Sequence, residues 1–569
     1  MKAPPRQCLL LSVFIAVIAA CVFACGGDAS DSYQGSQPPR MAPTEKQQIT
    51  VQLQQPESFD PQRSSFAQDI AIEHMLFRGL YQLVPGDAGA VKAVPAMAEG
   101  EPEVQGAVYT VRLKAGLKWS DGTPLTAKDF EYSLRRLCDP DTAAPYQYLL
   151  GASILNLVGC DDYFAALDAP AEERAALRDK VGVQAIDDRT LEVSLAAPKS
   201  TFTTIMSLWP MSPIPQGAVE KHGDRWAEPP NMVVNGPFIM TDYLASDHAA
   251  LAPNPYWALD PKPALQSVSV RFVDDQDVAF KAFQTGELDI TTAPANELPV
   301  IEGDAALKQA LVKVAAGRVR ALGMRMDDSV LRNYDVRLAL SRAIDRETLV
   351  KVIYGDAYVA TLQWLPQEMT AFATDANVRD TIGYSPEKAK LAMADAGYPE
   401  GKGFPGLEII VADNPVQKSE AEFLQAAWHE MLGIDVTIRT LDGKTAAQLI
   451  QSGEYQLMLS GWQLDYPDPE NALVGLFDSE GGNNVYGCSD QQIDAALNTA
   501  AAETDEAKRI AALQDAQKLV LTSLCGVTPI YEATALYLVA PKVGGVEVRG
   551  LIDAALPGGW CPECWFVKD

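Results

Sequence analysis

Two aspartates three residues apart, Asp465 and Asp468, are the first candidates for chemistry in this chain. Paired carboxylates serve many glycosidases, where one acts as acid and the other as base or nucleophile across the bond that breaks. Here both aspartates lie in a short stretch that also contains Pro467 and Pro469. A tight proline-rich turn is a poor way to place two carboxylates on opposite sides of a sugar. A secreted hydrolase is therefore the weaker interpretation.

Other catalytic patterns are incomplete or missing. The chain has only four histidines, and they are scattered. The helix-like run 429–433 begins with His-Glu as in zinc proteases, but Gly433 stands where the second zinc-binding histidine belongs. Neither a Gly-x-Ser-x-Gly elbow nor a Gly-x-x-x-x-Gly-Lys-Ser/Thr phosphate loop occurs. The sequence therefore predicts a protein that is not an enzyme and that uses no metal or cofactor.

Cysteines carry the next possible chemistry. Six of the nine lie beyond the N-terminal region, an even number that favours disulfides in an oxidising compartment. Six cysteines allow 15 pairings, and proximity in the sequence suggests Cys138 with Cys160, Cys488 with Cys525, and Cys561 with Cys564. The last pair has Cys-x-x-Cys spacing, so a redox centre is the alternative. Its place near the C-terminus, rather than at the start of a helix, favours a structural clip.

The N-terminus indicates export. Lys2 and Arg6 precede an apolar run over residues 9–24, which is short for a membrane span and typical of a signal peptide. Small residues stand before Cys21 and Cys25, which resembles the lipobox of bacterial lipoproteins, where the cysteine is lipidated. Cys21 has the better residues before it and Cys25 the more flexible ones after it, while an ordinary cleaved signal remains the alternative. Residues 26–46 have the composition of a flexible tether.

Composition excludes some partners. Lys and Arg total 46 and Asp and Glu total 75, so the formal net charge is −29, and nucleic acid would be repelled by the protein as a whole. With 47% hydrophobic residues the chain is globular, and 569 residues allow two to four domains.

The elements that would position these residues alternate between strands and helices. In the first half, alternating apolar residues predict strands over 49–53, 109–113, 190–195 and 268–272, and a capping box at Thr126 with Asp129 predicts a helix. In the second half, strands over 407–411, 435–439 and 456–459 alternate with helices, which suggests a mainly parallel sheet in a separate lobe. The helices are predicted over 336–354, 385–396, 417–431, 444–451, 490–502 and 505–521.

An ordered set of short motifs covers roughly residues 48–545. The motifs are Asp60-Pro61, Phe77–Leu80, Leu117–Phe130, Asn235–Phe238, Asn254–Trp257, Gly286–Ile290, Asp335–Arg337 with Ala343–Arg346, and Gly461–Pro469. Each motif alone is weak, but their order makes the set specific. The set resembles the extracellular solute-binding proteins of family 5, the oligopeptide and dipeptide receptors of bacterial ABC importers.

The resemblance implies an α/β, two-lobed periplasmic-binding-protein fold (type II, large peptide-binding class) with an extra domain inserted in the first lobe. Such receptors close their lobes on an extended peptide, which binds through main-chain groups common to all peptides. The expected organisation is signal peptide and lipobox 1–25, tether 26–46, first lobe 47–78 and 200–315, inserted domain 79–199, second lobe 316–530, and a return to the first lobe with a tail over 531–569.

The resemblance also assigns site residues. Asp465 matches the aspartate that pairs with the ligand's α-ammonium, although a turn-capping role is the alternative, and Trp462 matches a pocket tryptophan that could equally be core. Asn235 either holds the hinge region or ends a strand. The full set of expected ligand-binding residues is Asp465, Trp462, Tyr146, Tyr466, Ser64, Ser65, Phe66 and Asn235.

The chain also departs from the family pattern. The arginines that receive the carboxylate of short peptides correspond here to Leu459 and Ile450, and Gly443 replaces a pocket tryptophan. The ligand is then either a longer peptide or another solute, such as a nickel chelate, haem, a sugar or glutathione. We expect a monomeric, lipid-anchored protein of the cell envelope, periplasmic or extracytoplasmic, whose partners are the permease and ATPase subunits of an ABC importer.

Overall fold

The computed structural model describes residues 40–86, 91–152, 154–355, 357–367, 369, 372–503, 505–548, 553 and 555–569. The lipobox cysteines Cys21 and Cys25, with the predicted signal peptide and most of the tether, lie outside these residues. The strands of the described part are β1 (Gln48–Leu53), β2 (Tyr81–Pro85), β3 (Val91–Pro95), β4 (Glu103–Gln105), β5 (Val108–Arg112), β6 (Val183–Asp187), β7 (Thr190–Ser194), β8 (Phe238–Leu244), β9 (His248–Pro253), β10 (Ser267–Phe272), β11 (Ile290–Thr292), β12 (Leu311–Met324), β13 (Val359–Ala360), β14 (Leu407–Ala412), β15 (Val436–Leu441), β16 (Leu457–Gln463), β17 (Val527–Val539), β18 (Val543–Gly544) and β19 (Phe566–Val567).

Helices lie between most of these strands. The capping box at Thr126 forms as predicted, with Asp129 receiving a hydrogen bond from the Thr126 backbone. In the described residues the α-helices are Ala67–Leu76, Ala127–Leu137, Cys160–Phe164, Ala171–Arg178, Phe202–Ile205, Gln216–His222, Gln276–Gln284, Leu298–Gly303, Ala305–Ala310, Tyr334–Arg342, Arg346–Tyr354, Ala376–Ile382, Pro386–Asp395, Pro415–Leu432, Gly443–Ser452, Pro469–Phe477, Gln491–Ala502 and Glu506–Ser523.

One prediction of a long helix is wrong. The apolar pattern over 336–354 suggested a continuous helix, but the structure has two, Tyr334–Arg342 and Arg346–Tyr354. Asp345 caps the second helix, since its carboxylate accepts a hydrogen bond from the Thr348 backbone N–H at 3.1 Å. A side-chain cap of this kind starts a new helix where hydrophobic periodicity alone continues the old one.

The main sheet joins both halves of the chain. Its strand order is β15-β14-β16-β12-β17-β11-β1-β10-β9-β8, with β13 paired to β17. Strands β14, β15 and β16 pair in parallel, as the alternation predicted, but β12 pairs antiparallel with both β16 and β17. The prediction of a mainly parallel sheet in a separate lobe is therefore wrong for the strands beyond β16. There the chain returns through the long antiparallel strands β12 and β17 instead of a crossover helix.

Strand β12 contains an irregular segment. Its residues up to Ala315 pair with one part of β17 and its residues from Val319 with another, and the register shifts between them. Gly317, within this bulge, has φ of +63°, a conformation that glycine adopts without strain. The bulge binds the end of β16, because Leu464 N donates to Gly317 O at 3.1 Å and Gln463 Nε2 to Ala316 O at 2.8 Å.

The described apolar side chains form three large clusters. The second-half cluster lies mainly between Val319 and Ala533. The insert cluster lies mainly between Leu80 and Met211. The terminal cluster combines residues near both ends of the chain, from Ala42 to Phe77 and from Val543 to Val567, with a central segment. Each cluster buries its own set of large side chains, as expected for separate packed units.

Disulfides lie within the insert cluster and the second-half cluster, and a third closes a short loop near the C-terminus. In the described residues Cys138 bonds Cys160, Cys488 bonds Cys525 and Cys561 bonds Cys564, which are the pairs that sequence proximity suggests. Within the same residues, no helix combines the length and apolar character that crossing a membrane requires.

Candidate functional site

A cavity of about 430 Å³ lies where the insert cluster, the terminal cluster and the bulge of β12 meet. Its volume falls within the range of small-molecule sites. Asp465 and Arg78 contribute charge to its wall, and Ser65, His74 and Gln82 contribute polar groups. The aromatic side chains that line it are Phe77, Tyr81, Tyr146, Trp209, Trp462, Tyr537 and Trp560.

Asp465 is held between a strand and a helix of the second half. It follows the end of β16, and the helix Pro469–Phe477 begins four residues later. Asp468, not Asp465, caps that helix, accepting from Glu470 N at 2.9 Å. Asn471 in the first turn orients the segment, because its Oδ1 accepts from both Asp465 N (3.0 Å) and Trp462 Nε1 (2.9 Å). Asp465 does not cap the helix, and its side chain lines the cavity.

Three donors surround the Asp465 carboxylate. Tyr146 Oη donates to Oδ1 at 3.2 Å, Asn471 Nδ2 donates to Oδ2 at 3.0 Å, and Tyr148 Oη also donates to Oδ2. Burial raises the pKa of Asp465 above its usual value, and these hydrogen bonds partly offset the rise. A carboxylate offers about four acceptor positions, so one position is left for a further donor.

The two tyrosines belong to the insert side of the cavity. Burial, and then the neighbouring Asp465 carboxylate, raise the pKa of both Tyr146 and Tyr148, so their hydroxyls stay protonated and donate. Tyr146 also packs edge-on against Trp209, with ring centroids 4.6 Å apart. The Asp465 carboxylate, next to the aromatic side chains of Tyr146 and Trp209, makes this end of the cavity suitable for a cation.

The other charged group of the wall is already neutralised. Arg78 Nη2 lies 3.0 Å and 2.9 Å from the two carboxylate oxygens of Glu563, and both side chains are almost fully buried. His74, beside them, has no hydrogen-bond partner at Nδ1 among the described residues. Burial and the nearby Arg78 lower the pKa of His74 to about 4, so the imidazole is neutral at pH 7.

A second ion pair joins the insert region to the second half away from the cavity. Lys199 Nζ lies 3.5 Å from Glu470 Oε1, and Thr201 Oγ1 donates to Glu470 Oε2 at 3.4 Å. Burial raises the pKa of Glu470, while Lys199 acts in the opposite direction. Next to it Asp468 is paired with Arg509 at 3.0 Å, which occupies the second carboxylate that a glycosidase would need.

The structure brings together four of the residues that the sequence suggested. Asp465, Trp462, Tyr146 and Ser65 all line the cavity. No group of three or more His, Cys, Asp or Glu side chains in the described part of the chain is arranged to hold a metal ion.

The remaining four suggested residues lie off the cavity wall. Tyr466 is fully buried in the insert cluster, and Phe66 is 52% exposed. Ser64 is buried and donates to Glu73. Asn235 pairs with the backbone of Arg78 through its Oδ1 at 3.1 Å and its Nδ2 at 2.8 Å. Asn235 thus positions Arg78, and none of these four residues is among those that line the cavity.

Sequence reasoning missed most of the residues that line the cavity. Arg78 was visible only as part of the Phe77–Leu80 motif, and Tyr148 follows two residues after Tyr146. Trp560 stands directly before Cys561, and no local pattern connects it with Arg78, a lining residue 482 positions earlier in the chain. Long-range contacts of this kind leave no periodic signal in a single sequence.

Comparison with known proteins gives the family. Residues 92–484 match the family model described as "Bacterial extracellular solute-binding proteins, family 5 Middle". This match spans more than half of the chain and includes Tyr146, Trp462 and Asp465.

Two curated relatives from Escherichia coli (strain K12) match over most of their length. The probable deoxycholate-binding periplasmic protein YgiS is 31% identical over 513 residues, which cover 88% of this chain and 90% of the relative. The periplasmic oligopeptide-binding protein OppA is 27% identical over 511 residues, which cover 87% and 89%. The solved structure of the E. coli murein tripeptide binding protein MppA, at 23% identity, has a TM-score of 0.77 and covers 93% of this chain and 99% of its own. Haemophilus influenzae OppA in complex with RPPGFSPFR, at 24% identity, has a TM-score of 0.74, with coverage of 93% and 100%. These structures share the two-lobed binding-protein fold with this chain.

Proposed function

The chain belongs to the bacterial extracellular solute-binding proteins of family 5, and we propose that it captures oligopeptides between two closing lobes and delivers them to an ABC-type membrane permease. The receptor itself is not an enzyme, so ATP hydrolysis resides in separate subunits of the importer. The oligopeptide-binding relative OppA, 27% identical over most of both chains, supports a peptide ligand.

The observation that carries this proposal is the fourth acceptor position of Asp465. Its carboxylate faces an aromatic cavity, and three protein donors fill only part of its capacity. An α-ammonium supplies a charged donor for that position, and charge-assisted hydrogen bonds are the strong ones in proteins. Trp462 and Tyr146 would enclose the ammonium, and Ser65 would meet the peptide farther along the wall.

Calorimetric titration tests the proposal with a peptide and its N-acetylated form. The free-amine peptide should bind, and acetylation should weaken binding by about 1.5–3 kcal/mol because it removes the charged donor. Equal binding of both forms would contradict the proposed contact between the peptide's α-ammonium and Asp465.

A second candidate ligand is a bile acid, since YgiS is described as a probable deoxycholate-binding protein. The aromatic wall of the cavity suits a rigid apolar body. Against it stand the Asp465 carboxylate and the neutralised Arg78, which leave a bile-acid carboxylate without a cation. Deoxycholate therefore belongs in the same titration, and tight binding of deoxycholate with no binding of peptides would replace the peptide function by this one.

We also propose the domain boundaries given above, with the first lobe from 47–78 and 200–315, the insert from 79–199 and the second lobe from 316–530. Most residues of the insert cluster lie within 79–199 and most of the second-half cluster within 316–530, which supports these boundaries. On these boundaries the hydrogen bonds from Tyr146 and Tyr148 to Asp465 cross between the lobes, as does the Lys199–Glu470 ion pair. Ligand capture is then coupled to lobe closure.

The proposed location is the cell envelope, with a lipid anchor on Cys21 or Cys25 and a monomeric receptor outside the cytoplasmic membrane. The apolar run before these cysteines and the tether after them support the anchor. The curated relatives YgiS and OppA are both named as periplasmic.

A further inference from the structure

A buried ion pair controls the charge of the cavity wall. Arg78 and Glu563 are 5% and 3% exposed, and Arg78 Nη2 contacts both carboxylate oxygens. The Arg78 guanidinium also lies over the ring of Trp257, at 5.7 Å from its centroid. Two residues 485 positions apart in the chain therefore meet at one wall of the ligand cavity.

The C-terminal tail is built to hold Glu563 in this place. Glu563 lies between the disulfide-bonded Cys561 and Cys564, in a short turn of helix. Trp560, directly before it, lines the cavity, and its carbonyl oxygen accepts from Arg78 Nη1 at 3.3 Å and from Gln82 Nε2 at 2.6 Å. The Cys-x-x-Cys segment thus fixes both a wall of the cavity and the counter-ion of Arg78.

The consequence for ligand charge follows from the groups that line the cavity. Among its described lining residues, Arg78 is the sole Lys or Arg, and Glu563 cancels its charge. His74 is neutral at pH 7 because its pKa lies near 4. Asp465 remains as a negative group without a cationic partner in the described structure. A ligand carboxylate inside the cavity would meet no cation that lacks a counter-ion, whereas a ligand cation meets Asp465.

We propose that Glu563 is a specificity-determining residue that acts through Arg78: by neutralising this arginine it makes the cavity accept amine-bearing ligands and reject those that bring a carboxylate inside. The inference rests on the proposed function and names its substrate class. The ligands it selects are peptides whose carboxylate is blocked or lies beyond the cavity. An extended tripeptide is about 10 Å long and would keep both ends close to the wall, whereas a nonapeptide of about 30 Å would not.

The test is calorimetric titration of the full chain in mild detergent with matched peptides. One tripeptide is used as free acid and as C-terminal amide, and one nonapeptide likewise. We expect the tripeptide amide to bind about tenfold or more tightly than the acid, because an unpaired carboxylate is excluded. The two nonapeptides should bind alike.

Variants assign the effect to Glu563. Glu563→Gln removes the counter-ion of Arg78, so the tripeptide acid should bind more tightly than it does to the unaltered protein. The ratio of the acid's Kd to the amide's Kd should then fall below about threefold. Arg78→Met removes the only Lys or Arg among the described lining residues, so the preference for the amide should persist in this variant. The exposed Glu480→Gln serves as control and should leave the ratio unchanged.

Several outcomes overturn the inference. Equal binding of acid and amide by the unaltered protein, or tighter binding of the acid, contradicts it, and this comparison stands even if Glu563→Gln fails to fold. A folded Glu563→Gln variant with an unchanged ratio contradicts it as well. If both tripeptides and both nonapeptides fail to bind, the proposed peptide function falls and the inference falls with it, whereas binding without discrimination overturns the inference alone.

Discussion

Replacing Asp465 by Asn tests the proposed ammonium site most sharply. The substitution keeps the size of the side chain and removes its charge. Of the two carboxylate oxygens, Oδ2 accepts from Tyr148 and Asn471, and Oδ1 accepts from Tyr146. An Asn side chain can preserve all three contacts, since its oxygen takes the place of Oδ2 and its amide can donate to the Tyr146 hydroxyl. The variant should therefore fold as the unaltered protein does.

The expected loss is that of one charge-assisted hydrogen bond. Such a bond contributes about 1.5–3 kcal/mol, which corresponds to roughly 10-fold to 150-fold in Kd. The loss should appear for a peptide with a free α-amine and be absent for its N-acetylated form, because the acetylated peptide has no ammonium to lose. Calorimetric titration of both peptides against both proteins forms a double-mutant cycle.

The stability of the variant provides the control for folding. Burial raises the pKa of Asp465 above 3.8, so the folded protein binds the proton more tightly than the unfolded chain does. The contribution of this group is then fully present below pH 3.8 and is lost as the pH rises through the folded-state pKa. Asn cannot ionise, so the Tm of Asp465→Asn at pH 7 should equal or exceed that of the unaltered protein.

Three results would contradict this reasoning. If Asp465→Asn weakens the free-amine and the acetylated peptide equally, the residue shapes the cavity without binding the ammonium. If neither peptide loses affinity, Asp465 has no part in ligand binding. A fall in Tm of many degrees would contradict the argument about its pKa.

Three further predictions concern groups away from the ammonium. Burial raises the pKa of Glu73 well above 4.5, so its contribution to stability should be complete below pH 4.5 and be lost with rising pH. In thermal melts, the difference in Tm between Glu73→Gln and the unaltered protein should therefore grow in favour of the variant as the pH rises. A difference that stays constant with pH would show that Glu73 does not titrate in this range. Lys199→Met removes the cationic partner of buried Glu470 at a position outside the cavity lining. In titrations it should weaken the binding of free-amine and acetylated peptides alike by about 2 kcal/mol, and the exposed Lys444→Met should leave binding unchanged as a control. A different loss for the two peptides would refute the role of Lys199 in closure. Cys21→Ala should release the protein from membranes on fractionation, and release by Cys25→Ala alone would assign the anchor to Cys25.

The local elements followed from the sequence because their determinants are local. The alternating pattern at Ile49 and Val51 predicts β1, and the Thr126–Asp129 capping box predicts the helix that starts at Ala127. The helix break at Asp345 escaped prediction, because hydrophobic periodicity is the same on both sides of a cap. The parallel prediction for the second half failed at β12 and β17, since strand direction depends on how distant segments return to the sheet.

In the candidate site, the residues of one sequence motif could be predicted, whereas the contacts between distant parts of the chain could not. Asp465 and Trp462 stand in one motif, and the resemblance to a known family identified them before any geometry was available. The contact between Tyr148 and Asp465 could not be predicted, because Tyr148 lies more than 300 residues earlier in the chain. The pairing of Arg78 with Glu563 could not be predicted either, since it joins two residues 485 positions apart in the chain.

A crystal structure with a bound free-amine peptide tests the central claim most directly. The account predicts the peptide's α-ammonium nitrogen about 2.7–3.2 Å from an oxygen of Asp465, with the rings of Trp462 and Tyr146 beside it. The account would be contradicted by a peptide that occupies the cavity with its amino end elsewhere, while Tyr146, Tyr148 and Asn471 alone remain on the Asp465 carboxylate.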